Sequence, residues 1–577
     1  MSSDRFPASP SPDAAGGPLL LPAADTLLLQ VDHPSAESCR AELAAFAELE
    51  SSPEHVHTYR LRDLGLWNAR AAGVTPAQVT DILLRWCTGP VPHAVLRSVT
   101  DTMDRFGRVT IEGGAVIREV IEGGAVGCGA IEGSPGEAVL AVRTDDEALL
   151  SELVLDPSLG ALLGPRLNGT TAALDPANRG RLKQRLVELR WPADDRAALS
   201  PGAGLPIGLD PGLELRPYQR QAVDSWLPSG NGVVVLPCGA GKTVTAIAAA
   251  AAVGANTLVL VTGDASLQQW HRELTRFTTL DPELIGCYSA RSKQLRPVTI
   301  ATYNVLTTKK DGRLRHAALM EQGDWGLVVY DEVHLLPSAV FGLTAGIQAR
   351  RRLGLTATLI REDGRQGDVF SLIGPKRFDV PWRDLELQGW LAPATCTEVR
   401  VVPSDAERLA HAHAAVRDKP HVAATVGAKA ELVGRLLARH PGEPALVIGT
   451  YLDGLGPVAE ALGAPLVTGA TPTAQRLAWF DQLRNGELGV LVVSKVANFS
   501  LDLPEVSVAV QVSGTFGSRQ EEAQRLGRIL RPKADGRQAH FYTLVARDTV
   551  EQEYAQRRQR FLAEQGYAYE IIDGHEL

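Results

Sequence analysis

Three short stretches of the sequence carry side chains suited to phosphate chemistry. The first, Val233-Val-Val-Leu-Pro-Cys-Gly-Ala-Gly-Lys-Thr243, joins an apolar run to a glycine-rich turn. Phosphates need backbone N–H donors, a cation and a metal-binding hydroxyl in one place. Gly239 and Gly241 let the backbone curl, Lys242 brings the cation and Thr243 the hydroxyl for Mg²⁺, with Pro237, Cys238 and Ala240 completing the turn. The strict form of this pattern has Gly at 236, where this chain has Leu; Pro-x-x-x-Gly-Lys-Thr is a known variant. In the second stretch, Leu327-Val-Val-Tyr-Asp-Glu-Val-His334, Asp331 lies 89 residues beyond Lys242. An apolar strand would deliver Asp331 and Glu332 at its carboxyl end, where ligands bind in parallel sheets. Asp331 is expected to hold Mg²⁺ through water and Glu332 to activate an attacking water. His334 is expected to sense a γ-phosphate or couple two lobes. The third stretch, Glu522-Ala-Gln-Arg-Leu-Gly-Arg-Ile-Leu-Arg531, puts Gln524, Arg528 and Arg531 on nearly one helical face. Such arginines meet the charge that develops in phosphoryl transfer. The implied cofactors are ATP and Mg²⁺.

The elements that must position these residues are legible as alternation. Apolar runs at Val233–Leu236, Leu258–Val261, Val298–Thr302, Leu327–Tyr330 and Leu353–Thr356 are separated by helical segments. This predicts a doubly wound parallel sheet over 213–380. A second set (Ala445–Ile448, Leu488–Val493, Val506–Val512, His540–Val545) predicts another over 381–577. Upstream, residues 1–20 read as a disordered tail. Residues 21–135 read as a helical, winged-helix-like domain: Leu61 to Ala72 stops at Gly73, and Thr75-Pro76 starts the next helix. A strand, Arg105 to Ile111, closes it; DNA or partner binding and plain packing remain equal readings. The repeat IEGGAV at 111–116 and 121–126, then IEG at 131–133, carries no chemistry. Residues 136–198 read as a small α+β domain and 199–212, rich in Pro and Gly, as a linker.

Composition narrows the class. The chain has 577 residues, 45% hydrophobic and 22% charged, as in soluble globular proteins. No apolar run approaches membrane-spanning length. The N-terminus lacks the basic start and apolar core of a signal peptide, so a cytoplasmic protein is expected. Its six cysteines (39, 87, 128, 238, 287, 396) form no Cys-x-x-Cys pair, which argues for reduced thiols rather than zinc or iron–sulfur. Net charge is −9, which gives no global nucleic-acid signal but allows a basic groove.

The three motifs, in this order on two such lobes, resemble superfamily 2 helicases and translocases. The resemblance implies two tandem RecA-like domains. It makes Arg216-Pro-Tyr-Gln219 similar to the adenine-reading motif, so Arg216 and Gln219 join the ATP set. Asp502, in Ser494–Asp502, would meet the ribose. Thr262–Trp270 and Ala301-Thr-Tyr-Asn304 sit where the family contacts the nucleic-acid backbone, which assigns Thr302 and Tyr303 to DNA. Thr356-Ala-Thr358 matches the motif that couples ATP to DNA.

The DEVH box, Leu355-Thr-Ala-Thr-Leu-Ile-Arg-Glu-Asp363, Gly517–Arg531, Arg558–Tyr567 and His55-Val-His-Thr-Tyr59 narrow the resemblance to the XPB family. That family implies a 3′-5′ DNA helicase and double-stranded-DNA translocase used in nucleotide excision repair. Single- and double-stranded DNA would be bound without sequence preference, in the cytoplasm at the nucleoid. Arg361, Glu362 and Asp363 would act in strand separation: a mixed-charge triplet clamps phosphate poorly but suits a wedge. The 136–198 domain stands where the family recognises damage, and a thumb is expected at about 403–425, here short and weakly basic. A duplex translocase that does not separate strands, an RNA helicase and a non-catalytic scaffold are the other readings. No residue names a nuclease or other repair partner.

Overall fold

The computed structural model describes residues 16–52, 55–113, 140–175, 178–197, 201–237, 239–310, 313–314, 316, 319, 323–336, 344, 347, 349–357, 366–494, 506–513, 537–564 and 569–577. Two compact units divide the chain. The first contains Thr58–Val235 and Gly241–Asp379, the second Val380–Leu577.

Unbroken β-branched runs suit strands buried on both faces. In the first unit seven strands form one sheet in the order Ile285–Tyr288, Val298–Thr302, Thr257–Val261, Leu327–Tyr330, Arg351–Thr356, Asn231–Val235 and Lys376–Asp379. Every neighbouring pair is parallel. All strand carboxyl ends therefore share one edge. The strand Arg351–Thr356 separates the strand leading to the glycine-rich turn from the strand carrying the acids, with Val235 paired to Thr356 and Tyr330 to Gly354. Both flanking strands, Ile285–Tyr288 and Lys376–Asp379, escape the sequence reading because they are short and mixed in polarity.

The second unit repeats the plan. Its order is Leu466–Val467, Val490–Ser494, Ala445–Gly449, Val508–Gln511, Ala539–Ala546, Ala394–Val401 and Tyr569–Asp573, again parallel throughout. The two tandem parallel-sheet lobes expected from the sequence are thus present. Two short helices, Asp405–His413 and Lys419–Ala424, fill the span where a thumb is expected.

Ahead of the first lobe, the helix Pro76–Trp86 begins as its sequence dictates: Thr75 Oγ1 accepts from Gln78 N and Gln78 Oε1 from Thr75 N. Two further helices, Ala36–Leu43 and His93–Arg105, go beyond the two expected, and the domain is not helical throughout, since Leu19–Ala23, Thr26–Gln30, Val56–Arg60 and Glu48–Ser51 form a four-stranded sheet. The strand Val109–Gly113 does not close this helical unit. It pairs antiparallel with Leu140–Thr144 inside a five-stranded sheet that also holds Leu163–Arg166, Thr171–Leu174 and Ala193–Asp195. Period-2 apolar patterning cannot say which neighbour a strand will choose. The 199–212 segment, read as a linker, is stitched to the lobe: Leu205 N donates to Gly254 O, Asn256 N to Ala203 O and Asp210 N to Phe277 O, each at 2.9 Å.

One charge pair anchors the second lobe. Lys429, 1% exposed, donates to Glu551 Oε2 at 2.8 Å, to Oε1 at 3.0 Å and to Val512 O at 2.9 Å. Removing one member of a buried pair leaves the other charge uncompensated. Lys429→Ala is therefore expected to cost about 3–5 kcal/mol in urea unfolding followed by circular dichroism. A loss well under 1 kcal/mol would show the pair to be solvated.

Candidate active site

The glycine-rich turn is shaped by two left-handed glycines, Gly239 at φ 84° and Gly241 at φ 79°, where side chains are strained. At Gly241 a second constraint applies: a Cβ would lie 2.4 Å from Gln219 Nε2. Gln219 is buried in the first turn of the helix Pro217–Trp226, and its Oε1 accepts from Arg216 N at 3.0 Å. Arg216 donates to the Tyr218 hydroxyl at 2.9 Å. Arg216 and Gln219 thus reach the phosphate-turn neighbourhood through their own capping geometry. Beyond Gly241 the helix Lys242–Val253 starts, with its first-turn amides and the positive end of its dipole at the turn.

The acid strand ends in a tight arrangement. Asp331 N donates to Leu260 O at 2.9 Å, which carries the sheet pairing one residue past Tyr330. Asp331 Oδ2 accepts from Trp270 Nε1 at 2.9 Å, and its carbonyl accepts from the Tyr303 hydroxyl at 2.7 Å. Glu332 follows in the left-handed region, at φ 50°, without being glycine. Such conformations gather at functional sites, where the surroundings over-determine them. Here the turn carries Glu332 to Lys242: Nζ stands 3.3 Å from Oε1. His334 Nδ1 lies 3.5 Å from Glu332 Oε2 and is hydrogen-bonded to Thr356 Oγ1 at 2.7 Å. Lys242, Glu332, His334 and Thr356 therefore form one continuous path of side chains.

The two adjacent carboxyls are driven apart in acidity. Burial, and then the neighbouring Glu332 charge, raise Asp331 to about 6, against the Trp270 hydrogen bond and the Lys242 charge. Burial also acts on Glu332, but Lys242 and His334 hold it below the ordinary value. Glu332 is the anion of the pair, as a group that must accept a proton requires. Burial and Asp331 hold the Tyr303 phenol protonated, so it remains a donor.

The residues fit Mg²⁺ and ATP. The turn offers backbone donors around two left-handed glycines, and Lys242 is the cation. Asp331, raised by burial, lacks enough positive charge to ionise readily. Glu332 Oε2 is buried and makes no hydrogen bond, so an acceptor stands ready for a polar group. Thr243, in the first turn of the helix, and Asp331 are the residues that would hold the metal.

Of the residues singled out in the sequence, Thr302 and Tyr303 differ most from expectation. The family resemblance assigns both to DNA, yet they are 5% and 2% exposed, and Tyr303 instead ties down Asp331. Thr302 ends the strand Val298–Thr302 and Tyr303 begins the short helix Tyr303–Thr307; Asn304 is the exposed neighbour. Thr356 is buried and hydrogen-bonded to His334. Cys238, Thr358, Arg361, Glu362, Asp363, Asp502, Gln524, Arg528 and Arg531 lie outside the described residues. Trp270 is the residue that sequence reasoning missed. The sequence placed it only within the stretch Thr262–Trp270 assigned to the nucleic-acid backbone, but a buried indole N–H must find an acceptor, and here that acceptor is the Asp331 carboxylate.

An Asp raised from 3.8 to about 6 makes the folded chain bind more protons than the unfolded one between those values. Stability without nucleotide or Mg²⁺ therefore falls as pH rises through that window. Urea midpoints from about pH 4 to about pH 7 should show the fall in wild type and not in Asp331→Asn. Trp270→Phe, lacking the bond that favours the anion, should move the window upward. Parallel curves for all three proteins would refute the assignment.

Three family models match. ERCC3/RAD25/XPB C-terminal helicase covers residues 385–576, the type III restriction enzyme res subunit covers 212–361, and a helicase conserved C-terminal domain covers 19–168. The chain is 53% identical over 562 residues to a DNA 3'-5' helicase XPB of Kineococcus radiotolerans, covering 97% of each chain. It is 52% identical to a protein of the same name from Mycobacterium tuberculosis, covering 97% of this chain and 98% of the relative. It is 28% identical to the Saccharomyces cerevisiae general transcription and DNA repair factor IIH helicase/translocase subunit XPB/SSL2, covering 97% and 73%. With two parallel-sheet lobes, an acid pair beside a phosphate turn and this likeness over nearly its whole length, the chain belongs to the XPB family of superfamily 2 helicases.

Proposed function

We propose that the chain is an ATP-dependent DNA 3′-5′ helicase and double-stranded-DNA translocase of the XPB type, serving nucleotide excision repair at the nucleoid in the cytoplasm. The observation that carries this reading is the path Lys242–Glu332–His334–Thr356. It begins at the phosphate turn and ends on the strand whose continuation leads to Thr358 and then Arg361-Glu362-Asp363. A change of charge at Lys242 is thereby felt at the start of the segment read as the DNA wedge.

Bound ATP with Mg²⁺ supplies the phosphoanhydride whose hydrolysis drives the cycle. The residues divide the work around it. Lys242 and the turn amides hold phosphate oxygens, and Thr243 and Asp331 hold the metal. Glu332 orients water and accepts its proton. Arg216 and Gln219 read the base, and Asp502 meets the ribose. Gln524, Arg528 and Arg531 stabilise developing charge from the second lobe. Binding of single- and double-stranded DNA through backbone phosphates is sequence-independent and weakens with salt. Among the described residues, no helix is long and apolar enough to cross a membrane.

The deciding experiment is strand displacement on 3′- and 5′-tailed duplexes with ATP and Mg²⁺, with Lys242→Ala as the dead control. Displacement confined to 3′-tailed duplex is expected. Triplex displacement without unwinding would reduce the activity to translocation, and stimulation by RNA over DNA would replace the substrate. Arg528→Ala should keep ATP binding while hydrolysis falls by about 10³-fold; an unchanged rate would remove its role.

A further inference from the structure

The amino-terminal edge of the second sheet, opposite its strand carboxyl ends, carries a cluster that the ATP and DNA readings leave unused. His440, Glu443 and His540 each offer a ligand atom there, all within 4.8 Å of one another, and each is half-buried.

The sheet register assembles them. His540 pairs with Thr395 on one side and Val508 on the other, and Ala445 pairs with Val508. His540 N donates to Ser507 O at 2.8 Å, and Ser507 N donates to Pro444 O at 3.2 Å. His440 and Glu443 lie in the turn between the helix Ala428–Ala438 and the strand Ala445–Gly449, closed by Glu443 N donating to His440 O at 3.2 Å. Two strands, a turn and a strand entry thus converge through backbone bonds alone.

The side chains are oriented from outside. His440 Nε2 is hydrogen-bonded to the Tyr542 hydroxyl at 2.8 Å, which leaves Nδ1 facing Glu443 Oε1 at 3.3 Å. Ser507 Oγ donates to the other carboxylate oxygen, Oε2, at 2.6 Å. Thr395 Oγ1 and His540 Nδ1 are 2.9 Å apart, and the two imidazole centroids are 4.3 Å apart. Metal-binding histidines and carboxylates are typically fixed in this way, each by a hydrogen bond on its non-ligating atom. One spacing matches a bound ion, the 3.3 Å between His440 Nδ1 and Glu443 Oε1, and all three ligand atoms lie within 4.8 Å. Ligand atoms about 2.0–2.2 Å from a tetrahedral zinc lie about 3.3–3.5 Å apart.

We propose that His440, Glu443 and His540 bind a divalent transition-metal cation of the zinc class, with water as the fourth ligand. Two imidazoles and one carboxylate suit zinc, cobalt or nickel and disfavour Mg²⁺ and Ca²⁺, which take all-oxygen sets. The ion staples the helix–strand turn to the strand Ala539–Ala546 at the end where that strand begins. Its role is structural, independent of the nucleotide's own metal.

The test uses the full chain, dialysed against chelator and held in excess Mg²⁺ so that the phosphate site is saturated. Co²⁺ is added and the visible d–d absorption of a tetrahedral complex is followed, then displaced by Zn²⁺. One equivalent should bind. The band should vanish in His440→Gln and His540→Gln, and Ser507→Ala should weaken binding about 10–100-fold. His575→Ala, in the separate exposed Asp573–Glu576 group, should keep the band. Mg²⁺-dependent ATP hydrolysis should be unchanged in every variant. An absent band in wild type, or an undiminished one in the His440→Gln/His540→Gln double variant, overturns the proposal. Should a histidine variant misfold, the isosteric Glu443→Gln takes its place: loss of the band supports the site, and a retained band overturns it.

Discussion

An ammonium largely withdrawn from water needs an anion close by, and at Lys242 that anion is Glu332. Much of the first lobe's edge is arranged around this requirement. Glu332 reaches Lys242 only because its backbone takes the left-handed turn, and the turn is held because Asp331 is bound on both sides, by Trp270 at its carboxylate and Tyr303 at its carbonyl. Phosphate is the natural competitor for Lys242. Glu332 is held from its other side by His334, which in turn is hydrogen-bonded to Thr356.

The acid pair shows how one sheet edge makes two different carboxyls from adjacent residues. Both are buried, yet only Glu332 has a close ammonium and an imidazole; Asp331 has an indole and a like charge beside it. The difference is directional. A strand alternates its side chains, and the left-handed turn after Asp331 breaks that alternation, so the two groups face different partners.

The lobes and the phosphate turn were readable because long apolar runs and glycine spacing are local signals. The acids and Lys242 needed only those signals to be found, whereas Thr356 was singled out through the family resemblance. Strands of mixed polarity were not readable: the edge strand Lys376–Asp379 is polar and short, and Ala394–Val401, one strand in from the edge, carries Thr, Glu and Arg among its apolar residues. The burial of Thr302 and Tyr303 was not readable either, because motif position says nothing of how a strand end is covered. Trp270 was hidden for a like reason, since its place in the stretch Thr262–Trp270 says nothing of the partner its N–H finds. The strand Val109–Gly113 was found but placed with the wrong neighbours, because pairing is a tertiary choice.

The stitched segment before the first lobe has a bearing on where that lobe begins. Its matched family segment starts at residue 212, yet Ala203, Leu205 and Asp210 exchange backbone hydrogen bonds with Asn256, Gly254 and Phe277. A lobe cut at 212 would leave the loops after two helices with bare carbonyls and an exposed seam. Along its described residues, the Pro- and Gly-rich stretch is the lobe's hem rather than a free tether.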